Sequence, residues 1–394
     1  MKKLEQRVPN LRFKGFTDDW EQRKLGEAAE IIGGGTPSTQ ISNYWNGDIN
    51  WYTPAEISNF IYTRKSKRKI SMEGLENSSA RLLPVGTVLF TSRAGIGKTA
   101  ILSKEGTTNQ GFQSIVPNKK LLDSYFIFSL TNELKKYGET HGAGSTFIEI
   151  SGRELAKAPL KLPALKEQKK IGGLLHQVDE LIFLQQRKLE ILIKLKRSFL
   201  TKSMVNSLDK NPELYFNSAS VKWLKQKLSD LTIKEFKGNT KLNDTKPGKT
   251  EYLDAERLNG NVPLFIDKPI NTLKSDILIL WDGSKAGSVY YGFEGSLGST
   301  LKAIRLNPKL VNSFFVYQQL KSKQDVIFNK YRTPNIPHVI KNFTKVYPIY
   351  FPSMAVQNKI ARFLGNLDTL IEIQQKSIKD HKVIKKYLLQ KLFI

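Results

Sequence analysis

Residues 92–100, Ser-Arg-Ala-Gly-Ile-Gly-Lys-Thr-Ala, end in the Gly-Lys-Thr that closes a phosphate-binding loop. The matching chemistry would be nucleotide binding, with glycine amides cradling phosphates and the lysine neutralising them. Two details oppose it. The pattern needs a glycine five residues before Gly97, where the chain has Ser92. It also needs a helix opening at Lys98, whereas Ala100-Ile101-Leu102 runs into Ser103-Lys104-Glu105-Gly106 too soon for one. Gly33-Gly34-Gly35 fails as a cofactor fingerprint for a similar reason, since Thr36-Pro37-Ser38 continues a loop. Other chemistries lack residues. There is no cysteine, hence no thiol nucleophile, disulfide or Cys-type zinc site. The four histidines, His141, His176, His338 and His381, form no pair at ligand spacing. No Gly-x-Ser-x-Gly elbow occurs, nor the Asp/Asn-Pro-Pro-Tyr/Phe motif that grips a flipped base. The chain reads as non-enzymatic, with no cofactor or metal of its own.

Cations are plentiful. Against 36 Asp and Glu stand 62 Lys and Arg, a formal charge of +26 and a pI near 9.8. Such a balance calls for a polyanionic partner, double-stranded DNA first; a lysine-rich genome is the alternative. Phosphates are met by Lys and Arg, and bases are told apart by paired donors and acceptors. The loops offer both. In the first half the candidates are Thr36, Ser38, Thr39, Gln40 and Asn43, the run Arg64, Lys65, Lys67, Arg68 and Lys69, then Arg93, Lys98, His141, Ser145 and Thr146. In the second half they are Lys237, Asn239, Lys241, Asn243, Lys246, Lys249, Lys285, Arg332, Thr333, Asn335 and His338. A solvated face is the competing reading of the 64–69 run. Trp45, Trp51, Phe112 and Trp281 read as core rather than stacking platforms.

These loops need a scaffold, and the chain supplies one twice. Trp20 with Lys24-Leu25 matches Trp223 with Lys227-Leu228 at a separation of 203, and Tyr-Thr-Pro-Ala-Glu from Tyr52 matches Tyr-Leu-Asp-Ala-Glu from Tyr252 at 200. Ser-Arg-Ala-Gly at Ser92 matches Ser-Lys-Ala-Gly at Ser284 at 192, so a strand ending in a glycine turn should present Arg93 or Lys285. The stretch from Leu162 matches that from Phe351 at 189 without a gap, sharing Pro163/Pro352, Gln168/Gln357 and Asp179/Asp368. The colinear matches describe one duplicated unit that lost short loop segments in its second copy.

Each unit opens with a long part rich in Gly, Ser, Asn and aromatics with short β-type runs, read as a mixed α/β head. It closes with a proline-free long helix. Apolar residues in the helix keep a 4,3 spacing: Ile171, Leu175, Val178, Ile182, Gln185 and Leu189, repeated as Ile360, Leu364, Leu367, Ile371, Gln374 and Ile378. The two seams can cover each other in an antiparallel, pseudo-two-fold pair about 50 Å long. Gln185 and Gln374 interrupt the seams at equivalent places, as register-setting residues or as partly exposed seam ends. The expected divisions are a head over 1–160, a spacer helix over 161–212, a second head over 213–350 and a second helix over 351–394. No stretch of 18 apolar residues and no export signal occurs, so a cytoplasmic, membrane-free protein is expected.

The head-helix-head-helix order, the opening "VPNLRFKGFTDDWEQRKLGE", "GGGTPST", "YWNGDINWYTPAEI", "FTSRAGIGKTAI", "TNQGF" and the helix entries "LPALKEQKKI" and "FPSMAVQNKI" resemble the specificity subunit of Type I restriction–modification systems. The resemblance covers essentially the whole chain and is weaker in the second head. It implies two target-recognition domains held on spacer helices, in a chain that does no catalysis. It further implies two adenine-N6 methyltransferase partners using S-adenosylmethionine and, in the full complex, two restriction subunits driven by ATP and Mg. Its implied target is an asymmetric two-part DNA sequence. A nucleotide-dependent DNA-processing protein and a stand-alone DNA-binding regulator are the alternatives.

Overall fold

Both copies of the repeat lay down the same strands in the same order. The computed structural model describes residues 8–57, 60–93, 95–144, 148–205, 212–214, 222–333 and 337–394. In the first copy the strands are β1 (Glu21–Lys24), β2 (Ala29–Gly33), β3 (Trp45–Tyr52), β4 (Arg68–Ile70), β5 (Val88–Phe90), β6 (Thr99–Ile101), β7 (Gly106–Thr108), β8 (Gln113–Pro117) and β9 (Pro159–Leu162). The second copy has β10 (Leu224–Lys227), β11 (Thr232–Lys237), β12 (Pro247–Leu253), β13 (Phe265–Ile266), β14 (Ile277–Leu280), β15 (Val289–Tyr290), β16 (Ser296–Leu297), β17 (Leu301–Leu306) and β18 (Pro348–Phe351). The sheets are β2-β8-β5-β6, β4-β3-β7 and β1-β9, matched by β11-β17-β14-β15, β13-β12-β16 and β10-β18. Even the parallel pairs agree, β3 with β7 and β12 with β16.

The central strands are apolar throughout because both faces are covered. Successive side chains on a strand point to opposite faces. Val88 and Phe90 therefore join one core, with Ile115 and Phe126, while Leu89 joins another with Phe112 and Leu102. β14 divides likewise, Ile277 and Ile279 on one side and Leu278 and Leu280 on the other. Trp45, Trp51, Phe112 and Trp281 are all buried, and Trp45 and Trp51 meet edge-on at 5.1 Å.

Two long helices complete the fold, Leu165–Ser203 and Met354–Leu392, of 39 residues each. At 1.5 Å per residue each is about 58 Å long. By contacts the chain divides into residues 1–185 with 377–394, and residues 186–376. In the first unit Ile171 and Leu175 share a core with Leu392, and Lys385 lies 2.6 Å from Asp179. In the second, Phe199 packs on Phe363 at 4.3 Å and Lys196 pairs with Asp368. Rising numbers on one helix meet falling numbers on the other in each unit, so the pairing is antiparallel. Asp179 and Asp368 hold the same place in the repeat, as do Lys196 and Lys385, and one ion pair is thus made twice. Ile182, Ile360, Leu364, Leu367, Gln374 and Ile378 are buried, while Val178, Gln185, Leu189 and Ile371 are half-buried. No helix among the described residues is long and apolar enough to cross a membrane.

A buried glutamine ties each helix to its head. Gln168 accepts from the Asp123 amide at 3.0 Å and donates to the Leu121 and Pro163 carbonyls at 2.9 Å each. Gln357 accepts from the Asn312 amide at 2.8 Å and donates to Leu310 and Pro352. Asp123 and Asn312 in turn cap the helices that carry the buried Phe126 and Phe315. The repeat also begins earlier than Trp20: the Leu11 amide donates to the Lys391 carbonyl and the Leu214 amide to Lys202, both at 2.8 Å.

Two matches made by letters are displaced in space. The Asn109 amide donates to Tyr52, and the equivalent Gly298 amide donates to Leu253, so Tyr52 corresponds to Leu253 and Trp51 to Tyr252. Letter identity would slip that strand by one residue and turn each side chain to the wrong face. At the glycine turn, the Gly97 amide donates to the Thr91 carbonyl and the Gly287 amide to the Leu280 carbonyl, while the Ser92 and Trp281 amides donate to the carbonyls of Gly111 and Thr300. Ser92 therefore corresponds to Trp281, not Ser284, and Arg93 to Asp282, not Lys285. Gly97 and Gly287 are the fixed points because both have positive φ, +85° and +94°.

Candidate nucleic-acid interface

The turn that resembled a phosphate-binding loop is a β-hairpin connection between β5 and β6. Thr91 holds it: its hydroxyl donates to the Gly95 carbonyl at 2.7 Å and accepts from the Lys98 amide at 2.9 Å. Thr99 then opens a strand, so no helix N-terminus is there to receive a phosphate. A Cβ at Gly97 would lie 2.5 Å from the Lys135 side chain, which fixes how closely the turn is seated. Lys98 is exposed. Arg93 is exposed too and lies 3.8 Å from Glu149, a carboxylate the sequence reading did not single out.

Around this turn the first head brings some candidates together and separates others. His141 ends the helix Thr131–His141, stacks on Tyr137 at 4.0 Å and lies two residues before Ala143, which bridges to Glu149. Thr36 donates to Gln110 at 2.6 Å, joining the glycine-rich loop to the Thr-Asn-Gln-Gly-Phe segment. Ser38, Thr39, Gln40 and Asn43 are exposed beyond it. The basic run splits by role. Arg68 lays its guanidinium over Trp45 at 3.6 Å, and Lys69 pairs through its backbone with Asn50. Arg64 stacks over Phe60 at 3.8 Å and, with Lys65 and Lys67, rims a cavity of about 300 Å³ floored by Tyr52 and Ile57. Ser145, Thr146 and Asn335 lie outside the described residues.

In the second head Lys237 pairs with Asp282 at 2.6 Å, and Arg332 donates to the Ser284 carbonyl at 3.0 Å. Thr333 and His338 are hydrogen-bonded at 3.0 Å. Strand end, turn, Arg332 and His338 thus converge, and the exposed Lys285 belongs to the same turn. Asn239, Lys241, Asn243, Lys246 and Lys249 are exposed on a different element, the approach to β12 and its bulged start. The sequence reading missed Glu149 and Asp282 because it ranked cations and because the letter match hid Asp282 opposite Arg93. Among the described residues no group of three or more His, Asp or Glu could hold a metal ion.

The family profile for the Type I restriction modification DNA specificity domain matches residues 17–194 and again 220–380. The chain belongs to this family. The double match coincides with the two copies of the fold, and it places the chain with the DNA-recognising part of restriction–modification systems rather than with a catalytic one. Among relatives, the MjaIX specificity subunit of Methanocaldococcus jannaschii is 35% identical over 222 residues, 54% of this chain and 51% of that one. The chain therefore spans about half the length of that relative. The putative MjaX specificity subunit of the same organism is 24% identical across 98% of this chain and 96% of its own. The crystal structure of an S subunit from M. genitalium superposes with a TM-score of 0.69 at 18% identity, covering 98% of this chain and 99% of that one. That likeness establishes the shared fold.

Proposed function

We propose that the chain reads an asymmetric two-part DNA target, one half per head, and delivers it to adenine-N6 methyltransferase partners and, in the full complex, to restriction subunits. The observation that carries this is the pairing of identical frames with different loops. Sheet order, glutamine clamp and helix ion pair repeat, whereas the exposed loops on them differ in length and charge. Two diverged heads in one chain suit two unrelated half-sequences, as a symmetric dimer does not. S-adenosylmethionine, ATP and Mg belong to the partners in this reading, which work in the cytoplasm.

The helices also offer a surface for two equal partners. Leu181, Leu184 and Leu195 are exposed on one, and their repeat equivalents Leu370, Ile373 and Ile384 on the other. Exposed apolar residues that recur in register mark a docking face rather than scatter. The test is to map N6-methyladenine in cells carrying this chain with its methyltransferase. Exchange of residues 17–160 for another head should change one half of the methylated motif and keep the other. Methylation unaltered by that exchange, or independent of sequence, would overturn the reading.

A further inference from the structure

The two heads carry opposite charge at one structurally equivalent point. Arg93 directly follows Ser92, and Asp282 directly follows Trp281, the two residues that accept from Ile150 and Val339 in the same frame. Both side chains are exposed, Arg93 by 46% and Asp282 by 40%, and each lies against a group of opposite sign, Glu149 and Lys237. The facing residue also changes, from Glu149 before Ile150 to His338 before Val339. Phosphate contact alone does not account for this arrangement. In a protein of +26, a carboxylate on a DNA-facing turn is repelled by the backbone, and a carboxylate beside Arg93 weakens that cation's pull on phosphate. Base edges reward the pattern, because arginine donates to the guanine O6/N7 edge and a carboxylate accepts from an exocyclic amino group.

We infer that this point determines specificity in both heads, with Arg93 reading guanine in one half-site and Asp282 reading the amino group of cytosine or adenine in the other. The inference rests on the DNA-reading role proposed above. The test selects bound sequences from a library of random duplexes with the full-length chain in complex with its methyltransferase. The wild-type complex should yield a two-part motif; failure to do so would sink the proposed function itself. Given that motif, Arg93→Ala should relax one guanine in one half by roughly tenfold or more and leave the other half sharp. Arg93→Lys, which keeps charge and fold, should blur the same position. Asp282→Ala should relax one amino-bearing base in the opposite half only. Asp282→Asn separates the two sources, since asparagine suits adenine: preference for adenine retained means adenine was read, and a switch from cytosine to adenine means cytosine was. The untouched half serves as the folding control. Motifs unchanged at every position in Arg93→Ala and Asp282→Ala, or both halves blurred alike, would overturn the inference.

Discussion

Single residues of one chemical type have diverged in purpose along the 64–69 run. Arg68 is spent on the Trp45 ring, whereas Lys65 and Lys67 stand at a cavity rim facing outward. Lys65→Ala with Lys67→Ala should flatten the dependence of DNA affinity on salt by about 0.9 for each phosphate contact removed, read from binding titrations at several salt concentrations. Arg68→Ala should instead cost about 1 kcal/mol of stability in urea denaturation, with the salt slope little changed. The buried amide of Gln168 is a sharper case, for it serves three backbone groups at once. Gln168→Ala leaves them unpaired and should destabilise the first unit by about 2–4 kcal/mol, as should Gln357→Ala in the second.

Helix and strand differed in how much of them the sequence disclosed. The long helices were legible because a 4,3 spacing sustained over many turns cannot be confused with another period; expected within 161–212 and 351–394, they run over Leu165–Ser203 and Met354–Leu392. Short strands have no such redundancy. Tyr52 and Tyr252 share a letter but not a place, since the place is set by hydrogen bonds from residues more than forty positions downstream. Asp282 was hidden by a second slip, of three residues, at the glycine turn. The match of Gln168 with Gln357 was legible in the sequence, but its role needs the three-dimensional clamp. The helix pairing makes its own predictions. Lys385→Ala should cost about 1–2 kcal/mol by stranding Asp179, and exchange of the charges, Asp179→Lys with Lys385→Asp, should recover part of it in a double-mutant cycle. Tyr125 donates to Asp179 at 2.8 Å, and burial first, then that carboxylate's charge, pushes its phenol far up. Burial first and Asp368 next push Tyr317 up to about 12. An unfolded tyrosine ionises near ~10, so the folded state holds these protons more tightly. Their stabilisation is complete below about pH 10 and is lost as pH rises through the folded values, which urea denaturation at rising pH should register as a falling midpoint.

At the scale of the whole molecule, each head stands on a foot of two paired strands. β1 enters the first head and β9 leaves it with Glu21 opposite Leu162, and β10 and β18 do the same with Leu224 opposite Phe351. Entry and exit therefore lie side by side. A head seated this way is a socketed part: whatever lies between the two strands can be lengthened, shortened or replaced without altering the span its neighbours must bridge. A graft of a foreign head between residues 21 and 162 should accordingly keep the melting midpoint of the other unit within a few degrees, followed by calorimetry. For a lineage under pressure to change what it reads, novelty needs only two crossover points per head, both falling in strands whose backbone pairing is indifferent to the side chains on either side.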